Sequence, residues 1–163
     1  MAVRNIRIEG DPILNKIAKE IKAVTPRIKE LAEDMLDTMY EANGVGLAAP
    51  QVGILRRLVV IDVGDENGPY VMLNPTIVES DGEQTGDEGC LSVPGKAGTV
   101  TRPNHVIAKY YDLDMNECTV EGNELLARAI CHELDHLDGH LYTEIVEGEL
   151  KDTIAPEDEE EED

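Results

Sequence analysis

The stretch Asn123-Glu124-Leu125-Leu126-Ala127-Arg128-Ala129-Ile130-Cys131-His132-Glu133-Leu134-Asp135-His136-Leu137-Asp138 sets the reading of the whole chain. Leu126, Ala129, Ile130 and Leu137 recur at helical spacing, which predicts a helix over about 123–138 with Gly139 as its stop. Within it His132 and His136 are four apart, so their imidazoles lie one above the other and can reach one cation. Glu133, one position round, reaches a water on that cation. The same H-E-x-x-H pattern arises by chance on the solvated face of an acidic helix, so the metal reading turns on a third ligand.

A hydrolytic zinc-type site takes three protein ligands and keeps one position for water. His140 follows His136 by four, but on a continuous helix it stands about 12 Å along the axis from His132, beyond the span of one ion. The H-E-x-x-H-x-x-G-x-x-H pattern of metzincin proteases is matched through Gly139 and fails at its last position, Tyr142. A Glu from a later helix, the thermolysin solution, does not fit the 27 residues that follow His136. Cys90 is the third candidate, in Glu88-Gly89-Cys90-Leu91-Ser92-Val93-Pro94-Gly95. The Gly and Pro-Gly around it predict a tightly shaped loop, and a thiolate with two imidazoles is an attested catalytic ligand set.

Outward from these motifs, 163 residues with 41% hydrophobic content suit one core, so residues 1–150 are expected as a single catalytic domain. Residues 151–163 are expected as an acidic, disordered tail. With 14 Lys and Arg against 35 Asp and Glu the net charge is −21, and it remains −14 when the seven acids at 157–163 are set aside. Such a surface repels polyanions, so no direct nucleic-acid binding is expected. The chain has no Phe and no Trp, which leaves an aliphatic and methionine core and no stacking platform for single strands. No apolar run approaches the roughly 20 residues of a membrane span. The opening MAVRNIRIEGDPIL lacks the apolar stretch of a signal peptide, and a soluble cytoplasmic protein is expected. Three cysteines, Cys90, Cys118 and Cys131, form an odd set that argues for reduced thiols.

Thr25 can cap a helix that has Pro26 at its first position, apolar Ile28, Leu31, Met35 and Met39, and a left-handed stop at Asn43-Gly44. A Gly-rich turn over Gly44 to Gly53 follows, and then β-rich runs at Leu58 to Val63, Tyr70 to Leu73, Thr76 to Glu79, His105 to Tyr111 and Cys118 to Glu121. Turn signals such as Asp65-Glu66-Asn67-Gly68-Pro69 and Asp81-Gly82 separate them at hairpin distances. The order predicts an α+β fold of mostly antiparallel strands packed around a central metal-binding helix, with an N-terminal amphipathic helix.

Three blocks resemble the peptide deformylase family: Gly44-Val45-Gly46-Leu47-Ala48-Ala49-Pro50-Gln51, the Glu88 to Ser92 run EGCLS, and HELDH at His132 to His136. Their joint occurrence in this order is specific, and the resemblance covers residues 3 to 145. It implies a metal-dependent hydrolase that removes the formyl group from the initiator methionine of new polypeptides and releases formate. Carried over position by position, it implies Cys90, His132 and His136 as ligands of one divalent ion and Glu133 as general base and acid. Gln51 and the backbone N–H of Leu91 would receive the oxyanion, Val45 and Gly46 would bind the peptide backbone, and Arg128 and Ala129 would line the methionine pocket. The ion implied in many members is Fe(II), while Zn(II), Ni(II) and Co(II) also suit the ligand set.

The chain departs from the family in places. Ala97 stands where many relatives have an Arg that holds the substrate backbone, so Lys96 or Arg102 would have to substitute. Leu141 and Tyr142 replace a Phe after the metal helix, a change of packing. The acidic C-terminus is a poor ribosome anchor where some relatives use a basic helix. Cys131 reads as a small core residue, Cys118 as a strand residue, and His105 and His140 as surface histidines. The alternatives are a small metallopeptidase, which lacks a well-placed third ligand, and a non-catalytic structural site, which needs Cys131 or His140 as a fourth.

Overall fold

The computed structural model describes residues 2–153. Helix α1 spans Pro26–Glu41, capped by the Thr25 hydroxyl on the Ile28 N–H, and ends at Asn43, whose φ is +59°. Helix α2 spans Leu125–Leu137. Its start lies two residues later than the periodicity suggested, because Asn123 ends a strand and Glu124 has a φ of +54°. Eight strands join them: β1 Gly46–Ala48, β2 Leu58–Ile61, β3 Tyr70–Asp81, β4 Gln84–Cys90, β5 Val93–Arg102, β6 His105–Tyr111, β7 Glu117–Asn123 and β8 Glu147–Asp152. They form a five-stranded sheet ordered β1-β2-β3-β6-β7 and a three-stranded sheet ordered β4-β5-β8, antiparallel throughout. The α+β expectation holds.

Strand β2, Leu-Val-Val-Ile, is buried along its whole length because each face meets a helix. Val59 and Ile61 pack with Ala127, Ile130 and Leu137 of α2, whereas Leu58 and Val60 pack with Leu31, Met35 and Met39 of α1. Alternation along the strand thus puts the two helices on opposite sides of it. A third cluster, Leu14, Val93, Val100, Leu141 and Tyr142, lies under the smaller sheet. The aromatic-poor core is filled by aliphatic side chains and by Met35, Met39 and Met72, all fully buried.

Several boundaries differ from the sequence reading. The runs at 70–73 and 76–79 are one strand, β3, which passes through Asn74-Pro75 as an irregularity in the ladder to β6. Asn74 has a φ of +51°, and its side-chain amide exchanges hydrogen bonds of 2.8 and 2.7 Å with the backbone of Ile21. The expected turn at 44–53 contains β1 and a 3-10 turn, Ala49–Val52. The expected loop around Cys90 is the two-residue turn of the β4–β5 hairpin, with Cys90 opposite Val93. β4, β5 and β8 escaped the sequence reading because Gly, Pro and exposed acids mask their alternation. β8 runs to Asp152, past the expected boundary at 150, and residues 154–163, most of the expected tail, lie outside the described residues.

Gly139 ends α2 with a φ of +84°, and a Cβ there would come within 2.7 Å of the Asn15 carbonyl oxygen. Gly148 has a φ of +85° with nothing within 4 Å of such a Cβ. Gly148→Ala should therefore cost about 1 kcal/mol, the left-handed penalty alone, and Gly139→Ala about 2 kcal/mol or more. Urea unfolding measures both; equal losses would remove the Asn15 contact from the account.

Candidate metal centre

Cys90 Sγ lies 3.3 Å from His136 Nε2, and that nitrogen lies 3.3 Å from His132 Nε2. All three donor atoms fall within 4.8 Å of one another, the one such grouping among the described residues. The hairpin turn after β4 brings the sulfur to the face of α2 that presents both imidazoles. Cys131 is not part of this group: burial pushes its thiol up to about 11, which keeps it neutral. His140 is exposed and pairs with Glu144 at 3.0 Å. Among the described residues no fourth donor joins Cys90, His132 and His136, and three is the number of protein ligands that an open, hydrolytic site takes.

Glu88 holds the site from behind. Its carboxylate bonds His132 Nδ1, accepts from Arg102 Nε at 3.1 Å and Nη2 at 2.7 Å, and accepts from Arg128 Nη1 at 2.8 Å. Burial alone would raise its pKa, but His132 and Arg102 more than offset this and hold it at about 2. With Nδ1 engaged, His132 presents Nε2 toward His136 and Cys90, and a carboxylate so placed behind a histidine fixes its ring and tautomer, as it does for histidines that ligate metals. Arg102 also reaches Asp135 at 2.7 Å. The expectation that Arg102 could grip a substrate is therefore corrected, because its guanidinium is buried and occupied. Arg128 lines the cavity described below, yet its guanidinium also donates to Val100 O at 3.1 Å. Lys96 lines that cavity too and pairs with Asp152.

Glu133 is 4% exposed, and its Oε1 has no hydrogen-bond partner among the described residues. Burial pushes its carboxyl up to about 7. A Cβ on Gly46 would lie 2.5 Å from Glu133 Oε2, so only a glycine lets β1 pass this close to the carboxylate. Gln51 is buried in its 3-10 turn. Its Oε1 accepts the Ala48 N–H at 2.9 Å, which aims Nε2 at Ser92 Oγ, 3.0 Å away, and at Cys90 Sγ, 3.5 Å away.

A cavity of about 470 Å³ opens in front of these groups. Val45, Gly46, Cys90, Leu91, Ala129 and Glu133 line it, together with Arg128 and His132. Gln51 and His136 stand behind the lining. Tyr142 is packing, as expected: it is 1% exposed, with its ring 6.0 Å from that of His132. Sequence reasoning missed the roles of Glu88, Arg102 and Ser92. The need of a ligating histidine for a carboxylate partner was the signal that could have found Glu88, which sits two residues before Cys90.

A family model described as polypeptide deformylase matches residues 3–151. A peptide deformylase of Agathobacter rectalis is 72% identical over 152 residues, covering 93% of this chain and 95% of that protein. One from Lachnoclostridium phytofermentans is 64% identical over 163 residues, covering 99% of this chain and 100% of the other. The crystal structure of peptide deformylase from Thermotoga maritima superposes with a TM-score of 0.87 at 39% identity, covering 91% of this chain and 100% of that one.

Glu88→Ala should leave Arg102 and Arg128 without their buried counter-charge and destabilise the fold by about 3–5 kcal/mol. Asp135→Asn, whose carboxylate is 37% exposed, should cost less than about 1 kcal/mol. Urea titrations separate the two, and comparable losses would count against the burial argument. Glu88→Gln, which keeps the shape, should weaken divalent-ion affinity about 10- to 100-fold in chelator competition.

Proposed function

The chain belongs to the polypeptide deformylase family, and on that premise we propose that Cys90, His132 and His136 hold one divalent ion while Glu133 acts as base and acid. It is an enzyme that removes formyl groups from nascent peptides, and the family is metal-dependent. The observation that carries the residue assignment is the convergence of one sulfur and two imidazole nitrogens beside a buried, unpartnered carboxylate oxygen. The donor set fits the ion: a soft thiolate and two neutral imidazoles, one oriented by Glu88, with room in front. Fe(II) is the ion we assign. Neither a peptidase nor a closed structural site gains support from the geometry.

Held by Cys90, His132 and His136, a divalent ion would supply Lewis acidity for the formyl oxygen and would lower the pKa of a water toward about 7. Glu133, poised near neutrality by burial, takes the proton of the attacking water and returns it to the departing amine nitrogen. The formyl carbon gains the water oxygen, the C–N bond breaks and formate leaves. Gln51 Nε2 and the Leu91 N–H donate to the oxygen on which charge develops, and losing one such donor costs about 100- to 1000-fold. Among the described residues β1 ends its sheet, which leaves one backbone edge at Val45 and Gly46 for the peptide. Leu91, Ala129 and the stem of Arg128 form an apolar wall for the methionine side chain.

We assign the expected domain of residues 1–150, extended to Asp152 by the end of β8, to one catalytic unit working in the cytoplasm on nascent chains. No helix among the described residues is long and apolar enough to cross a membrane. The acidity of residues 157–163 disfavours docking on the ribosome, or on any nucleic acid, through that end.

The deciding assay is formate release. A formyl-methionyl peptide should yield formate, and its acetylated counterpart should be left intact; peptide-bond cleavage without formate would refute the reading. Glu133→Gln should keep the ion and lose about 100- to 10000-fold in turnover, whereas Cys90→Ala should lose the ion. Wild-type turnover by metal-replete Glu133→Gln enzyme would overturn the base assignment. Gly46→Ala should lower kcat with metal content unchanged, because its methyl group displaces the Glu133 carboxylate.

A further inference from the structure

A second cavity, of about 800 Å³, shares no lining residue with the first. It lies between the segment 19–25, the first turns of α1 and the residues after the Gln51 turn. Backbone pairing of Lys19 with Arg56 joins two of its walls, and Asn74 clamps Ile21. Five of the chain's 14 cations line it: Arg4, Lys19, Lys22, Arg27 and Arg56, against Glu20 and Glu30. Arg4 is engaged by Asp34 at 2.8 Å. Lys19, Lys22, Arg27 and Arg56 have no carboxylate within 4.0 Å among the described residues.

This concentration runs against the character of the molecule as a whole, whose net charge is −21. It also runs against local helix physics. The first turn of α1 contains no acid and carries Arg27 and Lys29, at the end where the macrodipole is positive and a cation is disfavoured. Cations without a carboxylate partner among the described residues, brought together from three chain segments at a cost to the ligand-free fold, mark a place suited to an anion. Long polyanions are opposed by the acidic surroundings once they extend past a Debye length of about 8 Å. A compact anion inside the cavity feels chiefly its lining. The buried Ile21 and Leu31 and the half-buried Ile28 and Ile54 add an apolar wall.

We propose that this second cavity binds a compact organic di- or triphosphate, its phosphates held by Arg27, Arg56, Lys19 and Lys22 and its organic part against the isoleucine wall. Guanidinium forks match phosphate oxygens bidentately, and the two lysines add point charges. No aromatic residue lines the cavity, so a nucleobase would not be stacked and base identity would not be read.

The test uses the metal-loaded full chain, titrated calorimetrically at fixed low ionic strength with pyrophosphate, magnesium-free ATP and magnesium-free GTP. Saturable one-site binding is expected, with ATP and GTP alike and both tighter than pyrophosphate. Arg27→Glu should weaken it on the order of tenfold or more while raising the melting temperature of the ligand-free protein. Lys29→Glu, in the same helical turn but outside the lining, should raise the melting temperature and leave binding intact. Should Arg27→Glu fail to fold, Arg27→Gln and Arg56→Gln give the same reading of affinity. Absence of saturable binding, unchanged binding in the Arg27 and Arg56 variants, or tighter binding of oligoglutamate or oligouridylate would each overturn the assignment.

Discussion

The structure depends on one buried carboxylate. Glu88 of β4 gathers Arg102 of β5 and both Arg128 and His132 of α2, so a single side chain ties the small sheet to the metal helix. Removing charges from water costs several kcal/mol per ion, and their attraction repays this only when geometry and hydrogen bonding are complete. Here Glu88 accepts from two guanidiniums and one imidazole, and Arg102 reaches on to Asp135. An apolar cluster of equal volume could join the same elements. It could not present His132 Nε2 toward Cys90, and so stability and ligand orientation are secured by the same contacts.

The larger sheet supplies the other half of the scaffold. β2 is gripped between α1 and α2, and β1 beside it delivers Gly46 against Glu133 and leads into the turn that carries Gln51. The residues proposed as base, oxyanion donor and ligand histidines are thus mounted on elements whose positions the aliphatic core fixes. The sulfur comes from the other sheet, at the tip of a hairpin whose approach is set by Glu88. A centre assembled across two sheets is sensitive to their relative position, which is what the Glu88 cluster holds.

The helices were legible because each carries an apolar stripe at helical spacing between recognisable ends: Thr25-Pro26 and Asn43 for α1, Gly139 for α2. β6 was legible from its β-rich run between turn signals. The β4–β5 hairpin was not, since glycines and prolines that permit tight approach and turning also erase alternation. β8 is an edge strand with mostly exposed residues, so burial wrote no pattern into it. At the site, residues with distinctive chemistry at fixed spacing, His132, Glu133 and His136, stood out. Those that act through a partner, Glu88 with Arg102 and Ser92 with Gln51, depend on pairings between residues distant in sequence. Arg102 shows the hazard: from sequence it is a free cation near the site, and in the fold it is consumed.

The place of Tyr142 has an optical consequence. The chain lacks tryptophan, so its near-ultraviolet emission comes from five tyrosines. Of these, Tyr142 is the one with a ring contact to His132 of the proposed metal set, and it is sealed from solvent. An open-shell ion held at the proposed site would quench a neighbouring phenol, and a closed-shell ion such as zinc would not. On the proposed ligand set, the fold would carry its own luminescent gauge of the kind of ion bound, readable without dye, label or substrate.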